Sequence, residues 1–453
     1  MSQTTDLRRQ RQHLHFDALM QRARRGFEKL PEQRRCPAFS LADALMAGLA
    51  LFSLKDPSLL AFQRRILDHN LRSVFGLQAI PSDTQMRVIL DDVDSDRVRP
   101  VFKDVFRQMQ RGKVLEDFVF LEGYYLIALD GVEYFCSEKV HCQNCLTRQH
   151  RNGETSYYHQ MLAAAIVHPD FHEVIPLAPE PIQRQDGQQK NDCERNAARR
   201  WLQRFRKDHP HLPVIITEDA LSSNAPHIRD LQAARVHFIL GVKRGDHKYL
   251  FDQVIERIEA DQVETFEEVD ASTGISHSYL FVEGLSLNES NKTVRVNFLR
   301  YVESAADGKE GPEWTWVTDL PLRRTTVKQV MRGGRTRWRI ENETFNTLKN
   351  QGYHFEHNYG HGEKNLCTVF ALLMMLAFLI DQVQQKCNPL FRAAWEKKGP
   401  KCALWEAVRF LFDSFEVLSM REIYEAIAYG YARPALKMLI EQTRPRLKVV
   451  DTS

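Results

Sequence analysis

The stretch FVFLEGYYLIALDGVEYF, residues 118–135, marks the point where the sequence changes from helical to β character. Its aromatic and aliphatic residues are typical of a strand, which we expect to end near Asp130 and Gly131. Before this stretch, residues 1–115 carry the hydrophobic pattern of helices. After it, short apolar strands alternate with helices as far as residue 244. This alternation predicts an α/β domain built on a central sheet.

From residue 245 to residue 322 the sequence favours β-structure, with turn-rich gaps such as SAADGKEGPE between the predicted strands. A predicted helix, RTRWRIENETF (residues 335–345), and further helical segments follow. We therefore expect five regions, which are a helical N-terminal domain (1–115), the first part of the α/β domain (116–244), a β-rich insertion (245–322), the second part of the α/β domain (323–385) and a helical C-terminal region (386–453).

The composition bounds the cellular context and the partners. Net charge is only +3, but the 62 lysines and arginines are clustered, which favours a polyanionic partner. Arginines are frequent between residues 8 and 35, either as a solvated arm or as a phosphate-contacting edge of the helical domain. Eight cysteines in 453 residues do not indicate a secreted disulfide scaffold. With no apolar leader visible, and with the longest apolar run (residues 369–380) too short to cross a bilayer, we expect a cytoplasmic protein without a membrane partner.

Two aspartates follow short apolar strands, Asp130 in ALDGV and Asp219 in IITEDA. Such positions lie at the sheet edge where α/β proteins build their sites, although a single aspartate there is more often a turn or helix cap. Together with Glu341, on the following helix, they form a candidate site for Mg²⁺ or Mn²⁺. Two such ions, about 4 Å apart, activate the attacking water and stabilise the leaving oxygen of a phosphodiester.

Three blocks of this sequence resemble bacterial insertion-sequence transposases of the DDE, ribonuclease H-like class. They are ALDGV around Asp130, VIITEDALSSNAPHIRDLQAARVHFILGVKRGD around Asp219 and RWRIENETF around Glu341. The resemblance implies that Asp130, Asp219 and Glu341 are the catalytic, metal-binding triad. It also implies an α/β ribonuclease H-like catalytic domain with an all-β insertion, as in the cut-and-paste group, flanked by a helical N-terminal DNA-binding domain and a helical C-terminal region.

The function implied by the resemblance is a DNA transposase. It would cut at transposon ends and join them to target DNA, with Mg²⁺ or Mn²⁺ as cofactor and as a homodimer on DNA. Two alternatives stay open. One is a domesticated endonuclease of the same fold that does not transfer strands, and the other is a DNA-binding protein that no longer cuts.

The signature of this group around the glutamate is Y-x2-R-x3-E-x6-K. Arg337 and Glu341 match its arginine and glutamate, whereas Gly334 and Leu348 occupy its tyrosine and lysine positions. Lys349 comes one residue late, which is about 100° around an α-helix. The resemblance places Lys349 and the arginines of this helix on DNA, and these arginines are Arg335, Arg337 and Arg339.

Two further residues of this helix have alternative interpretations. Glu343 is a second candidate carboxylate, although the RWRIE context favours Glu341. Trp338 either belongs to the core or stacks on DNA, and its position two turns before Phe345 favours the core.

A cluster of cysteines and histidines follows Asp130 in FCSEKVHCQNCLTRQHRNGETSYYHQ, residues 135–160. Its C-x2-C spacing is typical of a zinc site in a reducing compartment. The predicted ligands are Cys136, Cys142, Cys145 and His150 or His159, in a structural role beside Asp130. Because no second C-x2-C pairs with the first, free thiols in a loop remain the alternative.

A basic helix is predicted from residue 191 to residue 207, with Asp192 as its N-cap. This helix either lies along DNA or presents a solvated face.

Overall fold

The computed structural model of this protein describes residues 11–64, 69–184, 193–307, 309–430 and 437–438. Its first elements are helices, within the region predicted to be helical. Every residue of LADALMAGLALFS is buried, and Ser40 caps this helix by accepting from the amide of Asp43. Ser82 forms a capping box with Gln85. These helices are α1 (Phe16–Phe27), α2 (Leu41–Ser53), α3 (Leu59–Gln63), α4 (His69–Phe75), α5 (Asp83–Asp91) and α6 (Arg99–Arg111).

The middle of the chain alternates between strands and helices, as predicted. In chain order the elements are β1 (Tyr125–Ser137), β2 (Leu146–Gln149), β3 (Thr155–Val167), β4 (Ile175–Ile182), α7 (Glu194–Asp208), β5 (Val214–Glu218), α8 (Ala225–Ala233), β6 (His237–Gly241), α9 (Lys248–Glu259), β7 (Glu264–Val269), β8 (Ser276–Ser286), β9 (Arg295–Ser304) and β10 (Glu310–Thr318). The prediction that β1 ends near Asp130 is wrong, since this strand continues for a further seven residues as an antiparallel partner of β3.

These strands form one ten-stranded mixed sheet with helices on both sides. Its order is β2-β3-β1-β5-β6-β10-β9-β8-β7, and β4 pairs with β3. Strands β1, β5 and β6 are parallel to one another, whereas the other pairings are antiparallel. The parallel strands therefore occupy the middle of the sheet, where both faces are covered.

The region predicted as a β-rich insertion is mainly β-structure, but it begins with helix α9. Its strands do not form a separate sheet. Strand β10 pairs antiparallel with β6, from Trp316 opposite Gly241 to Thr318 opposite Ile239, so β7–β10 extend the central sheet.

After β10 the chain is helical almost to the end of its described part. A nearly continuous helix contains α10 (Val327–Thr336), a π-helical turn (Ile340–Phe345) and α11 (Asn346–Asn350). The remaining elements are α12 (Leu366–Cys387), α13 (Pro389–Lys398), α14 (Lys401–Ser414), β11 (Phe415–Glu416), α15 (Met420–Tyr429) and β12 (Lys437–Met438).

Helix α12 joins the two ends of the chain into one core. It packs against α2 and β4, and the ring of Phe370 meets that of Phe52 edge to face at 5.8 Å. The buried ammonium of Lys55 pairs with Asp381 of α12, which also accepts from Tyr353 at 2.7 Å. The N-terminal helices are therefore packed into the same core as the C-terminal region.

Helix α12, with 22 residues, is long and apolar enough to cross a bilayer. This corrects the prediction that the apolar run at residues 369–380 is too short to do so. However, 94% of its most apolar window is buried inside the protein. This is the pattern of a core helix, because its apolar side chains are already covered by other elements.

Candidate active site at the edge of the parallel strands

Asp130 lies in β1, and Asp219 directly follows the neighbouring parallel strand β5 at the same level of the sheet. The last pair between β1 and β5 is Ala128 opposite Thr217, and each aspartate comes two residues later. Both are half-buried. Because side chains two residues apart in a strand point to the same face, this register brings the two predicted carboxylates to one edge of the sheet.

Local hydrogen bonds orient both carboxylates. Asp219 caps a short 3-10 turn (Ala220–Ser222), where its Oδ1 accepts from the amide of Leu221 at 3.0 Å. Asp130 Oδ1 accepts from the amide of Gly131 at 2.9 Å, and its Oδ2 accepts from Arg337 Nη1 at 3.1 Å. Asp219 thus has the capping role expected of a lone aspartate while lying beside a second acid.

The surroundings of Asp130 raise the pKa of its carboxyl group to about 6. Burial is the main cause, and the neighbouring charges of Asp219 and Glu194 add to it. The guanidinium of Arg337 opposes them by stabilising the charged form. The pKa is therefore raised mainly because the carboxylate is shielded from water, and two acidic neighbours add to this effect.

Glu194, in the first turn of α7, is an acidic neighbour of this site that sequence reasoning missed. Its Oε1 accepts from Gln160 Nε2 at 2.6 Å, and burial together with the charge of Asp219 raises its pKa. A Cβ on Gly131 would overlap Glu194 Oε1, so the glycine after Asp130 provides the space for this approach. The predicted N-cap of this helix, Asp192, lies outside the described residues, and α7 begins after Cys193.

The third predicted acid, Glu341, lies on the π-helical turn, which packs against β1 and β3. Glu341 is half-buried, and Arg337, in the same helix, reaches Asp130. The alternative acid Glu343 is held elsewhere, by Arg339 at 2.9 Å and by His172 at 2.8 Å. In the described part of the chain, Asp130, Asp219 and Glu341 are not gathered into a compact group of donor atoms.

The π turn changes which residues after Glu341 face solvent. The amide of Asn346 donates to the carbonyl of Glu341, a bond that spans five residues where an α-helix spans four. Leu348 is fully buried, whereas Lys349 is exposed and pairs with Glu356 at 2.7 Å. The side chain at the lysine position of the signature therefore belongs to the core, and the next residue reaches the surface.

The tyrosine position of the signature, Gly334, is occupied by glycine for a steric reason. A Cβ at this position would overlap the indole of Trp316, which packs against the helix from β10. The helix carrying Glu341 therefore lies directly on a strand of the region predicted as an insertion.

The predicted DNA-contacting arginines have different surroundings. Arg337 lies between Asp130 and Trp338, 5.1 Å from the centre of that indole ring. Arg335 pairs with Glu303 of β9 and lies over the ring of Trp314, whereas Arg339 pairs with Glu343 and donates to the carbonyl of Pro169 at 3.2 Å. The preferred core position of Trp338 is wrong, since 51% of this residue is exposed.

A cleft of about 720 Å³ opens between the carboxyl edge of the parallel strands and the strands that follow α9. Asp219, Arg337 and Trp338 lie in its wall. Four further basic residues line it, namely Lys243, Arg244, Arg300 and Arg335. An acidic edge bordered by basic and aromatic side chains is suited to a phosphodiester, because the cations attract the backbone and the acids can hold divalent metal.

The cysteine and histidine cluster forms beyond Asp130, next to the end of β1, but with different members. The residues brought together are Cys142, Cys145, His159 and His361. Cys136 is exposed, and the His150 ring contacts the hydroxyl of Ser156 at 2.9 Å. Strand alternation explains why Cys136 is not a member of the cluster. Phe135 pairs with His159 on the buried face, and Cys136 points to the opposite face.

The sheet and its acidic edge define an α/β protein whose candidate site lies at the carboxyl ends of parallel strands. The family described as "Transposase DDE domain" matches residues 139–379, more than half of the chain. The protein belongs to this family of insertion-sequence transposases. The matched region contains Asp219 and Glu341 and begins after Asp130, whose assignment rests on its position beside Asp219. No curated protein matches this chain.

Proposed function

We propose that this transposase cleaves DNA at the ends of its element and joins them to target DNA, with Asp130, Asp219 and Glu341 as its catalytic carboxylates. The observation that carries the proposal is the register of β1 and β5, which sets Asp130 and Asp219 side by side. Membership of the transposase family supports the reaction class.

The three carboxylates fit Mg²⁺ or Mn²⁺. Their oxygens are the ligands that hard cations prefer, and a cation would stabilise the Asp130 carboxylate, whose pKa is raised to about 6 mainly by burial. An open arrangement suits a pair of ions better than one enclosed ion, because the ions of a two-metal site lie about 4 Å apart and keep positions for water and phosphate. When bound, these ions activate the attacking water or hydroxyl and stabilise the leaving oxygen.

Arg337 has two tasks in this proposal. One Nη1 hydrogen bond orients Asp130, and the remaining donors of the planar guanidinium are available to a phosphate in the cleft. Glu194 and Gln160 support the back of the site, where the Gln160 amide holds the glutamate beside Gly131. The exposed indole of Trp338 offers a stacking surface for a base.

Lys349 takes the role of the signature lysine. A turn with hydrogen bonds across five residues accommodates one residue more than an α-helical turn, which supports a compensating shift of one position after Glu341. The burial of Leu348 and the exposure of Lys349 are consistent with that shift. Arg335 and Arg339 contact the DNA backbone in this proposal, after exchanging their pairing with Glu303 and Glu343 for phosphate.

The finer classification is part of the same proposal. We assign the strands β4-β3-β1-β5-β6 to a ribonuclease H-like domain and β7–β10 to the β-rich insertion of the cut-and-paste group. The mixed pairing and the position of α9–β10 between the second acid and the glutamate support this assignment. The helical N-terminal region binds DNA, and the protein acts as a homodimer across two transposon ends.

The test uses purified protein and a duplex that carries the terminal repeats flanking the coding sequence. Asp130→Asn, Asp219→Asn and Glu341→Gln should each lose Mg²⁺-dependent cleavage while keeping affinity for the duplex. Glu343→Gln is the matched control, because it changes the second acid of the same helix and should keep cleavage. Full cleavage by Asp130→Asn, or equal losses in the two glutamate variants, would overturn the assignment.

The same reaction separates the alternatives. Cleavage followed by joining to a target plasmid identifies a transposase. Cleavage without joined product in Mg²⁺ or Mn²⁺ identifies an endonuclease, and specific binding without cleavage identifies a DNA-binding protein.

A further inference from the structure

Four side chains with metal-binding atoms converge at the end of the sheet beyond Asp130. The ligand atoms of Cys142, Cys145, His159 and His361 all lie within 4.8 Å of one another. Cys145, His159 and His361 are buried, with 2%, 1% and 7% exposure. His361 is 216 residues from Cys145 in sequence, so only the folded chain brings it to the C-x2-C loop.

Four of the six distances between ligand atoms in this cluster are close to those of a tetrahedral site. Ligands about 2.3 Å (sulfur) and 2.05 Å (nitrogen) from one zinc ion lie about 3.8 Å apart for two sulfurs and about 3.5 Å apart for sulfur and nitrogen. The two cysteine sulfurs are 3.9 Å apart. His159 Nε2 lies 3.5 Å from Cys142 Sγ and 3.4 Å from Cys145 Sγ, and His361 Nε2 lies 3.3 Å from Cys145 Sγ.

The surrounding hydrogen bonds prepare these atoms to be ligands. His361 Nδ1 lies 2.9 Å from the carbonyl of Gly362, so it carries the proton and leaves Nε2 with its lone pair toward the sulfurs. The amide of Cys142 donates to Cys145 Sγ at 3.4 Å, an interaction that stabilises a thiolate. Within the described chain, the buried Nδ1 of His159 has no hydrogen-bond partner, so hydrogen bonds alone do not explain the burial of this ring.

We propose that Cys142, Cys145, His159 and His361 bind one structural zinc ion. Four protein ligands close the coordination sphere, which is the pattern of structural rather than catalytic zinc. The ion would connect the loop after β1 and strand β3 to the loop before α12, where the Asn144 side chain already donates to the carbonyl of Lys364 at 2.7 Å. This site is separate from the carboxylate site and does not depend on the proposed function.

The first measurement is the metal content of the full-length protein, purified without chelator. We expect about one zinc per chain. Replacement by Co²⁺ should give the visible absorption of tetrahedral coordination and a thiolate charge-transfer band whose strength corresponds to two cysteines. This reading on the native sequence does not depend on any variant folding.

Variants then test the identity of the ligands. Cys145→Ser and His361→Ala should lose most of the bound zinc. Cys136→Ser and His150→Ala are the matched controls, because they alter the neighbouring cysteine and histidine that lie outside the cluster, and both should retain it. Loss of zinc in the controls but not in His361→Ala would overturn the ligand set.

Two results would overturn the site itself. One is that the native protein contains no zinc and also shows no spectrum of tetrahedral Co²⁺ after Co²⁺ is added. The other is a disulfide between Cys142 and Cys145, seen as a loss of two hydrogens in the mass of protein purified under the same conditions.

Discussion

The exchange of roles between Leu348 and Lys349 can be tested with a pair of alanine substitutions. Leu348 is fully buried, so Leu348→Ala should destabilise the protein by about 2–5 kcal/mol through lost burial and a cavity. Lys349 is exposed and its ion pair with Glu356 lies at the surface, so Lys349→Ala should cost no more than about 1 kcal/mol. Urea denaturation of both variants measures this difference.

The effect on DNA binding should be the reverse. Each phosphate contact contributes about 0.9 to the slope of log affinity against log salt concentration. Removing the ammonium of Lys349 should therefore reduce the slope by about that amount. Between 50 and 200 mM salt, wild-type affinity should fall about 3.5-fold more than that of Lys349→Ala. Leu348→Ala should keep the wild-type slope under conditions where it is folded. Fluorescence anisotropy with the terminal-repeat duplex provides the measurement.

Glu356→Gln is the control for the ion pair, since it removes the partner of Lys349 but keeps the lysine. If this variant lowers the slope as much as Lys349→Ala does, the lysine acts by holding its loop rather than by contacting phosphate. An unchanged slope in Lys349→Ala would refute the compensating shift. Leu348→Lys, which restores the family signature literally, should destabilise the protein because it buries an ammonium group.

Two further predictions concern stability. The folded pKa of Asp130, about 6, lies above the ordinary aspartate pKa of 3.8, so its carboxylate costs stability as the pH rises through this range. In metal-free buffer Asp130→Asn should therefore stabilise the protein by on the order of 3 kcal/mol above pH 7 and hardly at pH 4, measured by denaturation. An equal gain at both pH values would contradict the reasoning. Gly334→Ala should cost about 1–3 kcal/mol because its Cβ would overlap Trp316, whereas Gly245→Ala, with open space around it, should not shift the urea midpoint. Equal midpoints for the two glycine variants would exclude the overlap.

The sequence predicted the alternation of strands and helices and the meeting of two aspartates, because both follow from local patterns. Asp130 and Asp219 each come two residues after the last parallel pair of β1 and β5, so this pairing brings both acids to one edge. The role of Gly131 could not be predicted in this way. The pair Asp130-Gly131 has the composition of a turn, but here the glycine lies within a long strand and provides space for Glu194. Only the position of α7 in the folded protein distinguishes a glycine needed for a turn from a glycine that makes space for Glu194.

The π turn and the histidine from the loop before α12 also had no local signal. A π turn depends on hydrogen bonds and packing along the helix rather than on hydrophobic period. The offset of about 100° between Lys349 and the lysine position of the signature was therefore calculated for an α-helix, whereas the chain forms a π turn before it. The ligand set in the C-x2-C segment was predicted from nearby residues. His361 enters from a distant part of the chain, while strand alternation turns Cys136 away.

The two candidate metal sites share the same pair of chain segments. Strand β1 carries Asp130 and leads into the loop of Cys142 and Cys145, and the helix carrying Glu341 leads into the loop of His361. The proposed zinc would therefore hold together the continuations of two segments that must also align their carboxylates. Asp219 differs, because it directly follows β5, which is held by pairing with β1 and β6. Loss of zinc should consequently disturb Glu341 relative to Asp130 more than Asp219 relative to Asp130, and so reduce cleavage more than DNA binding.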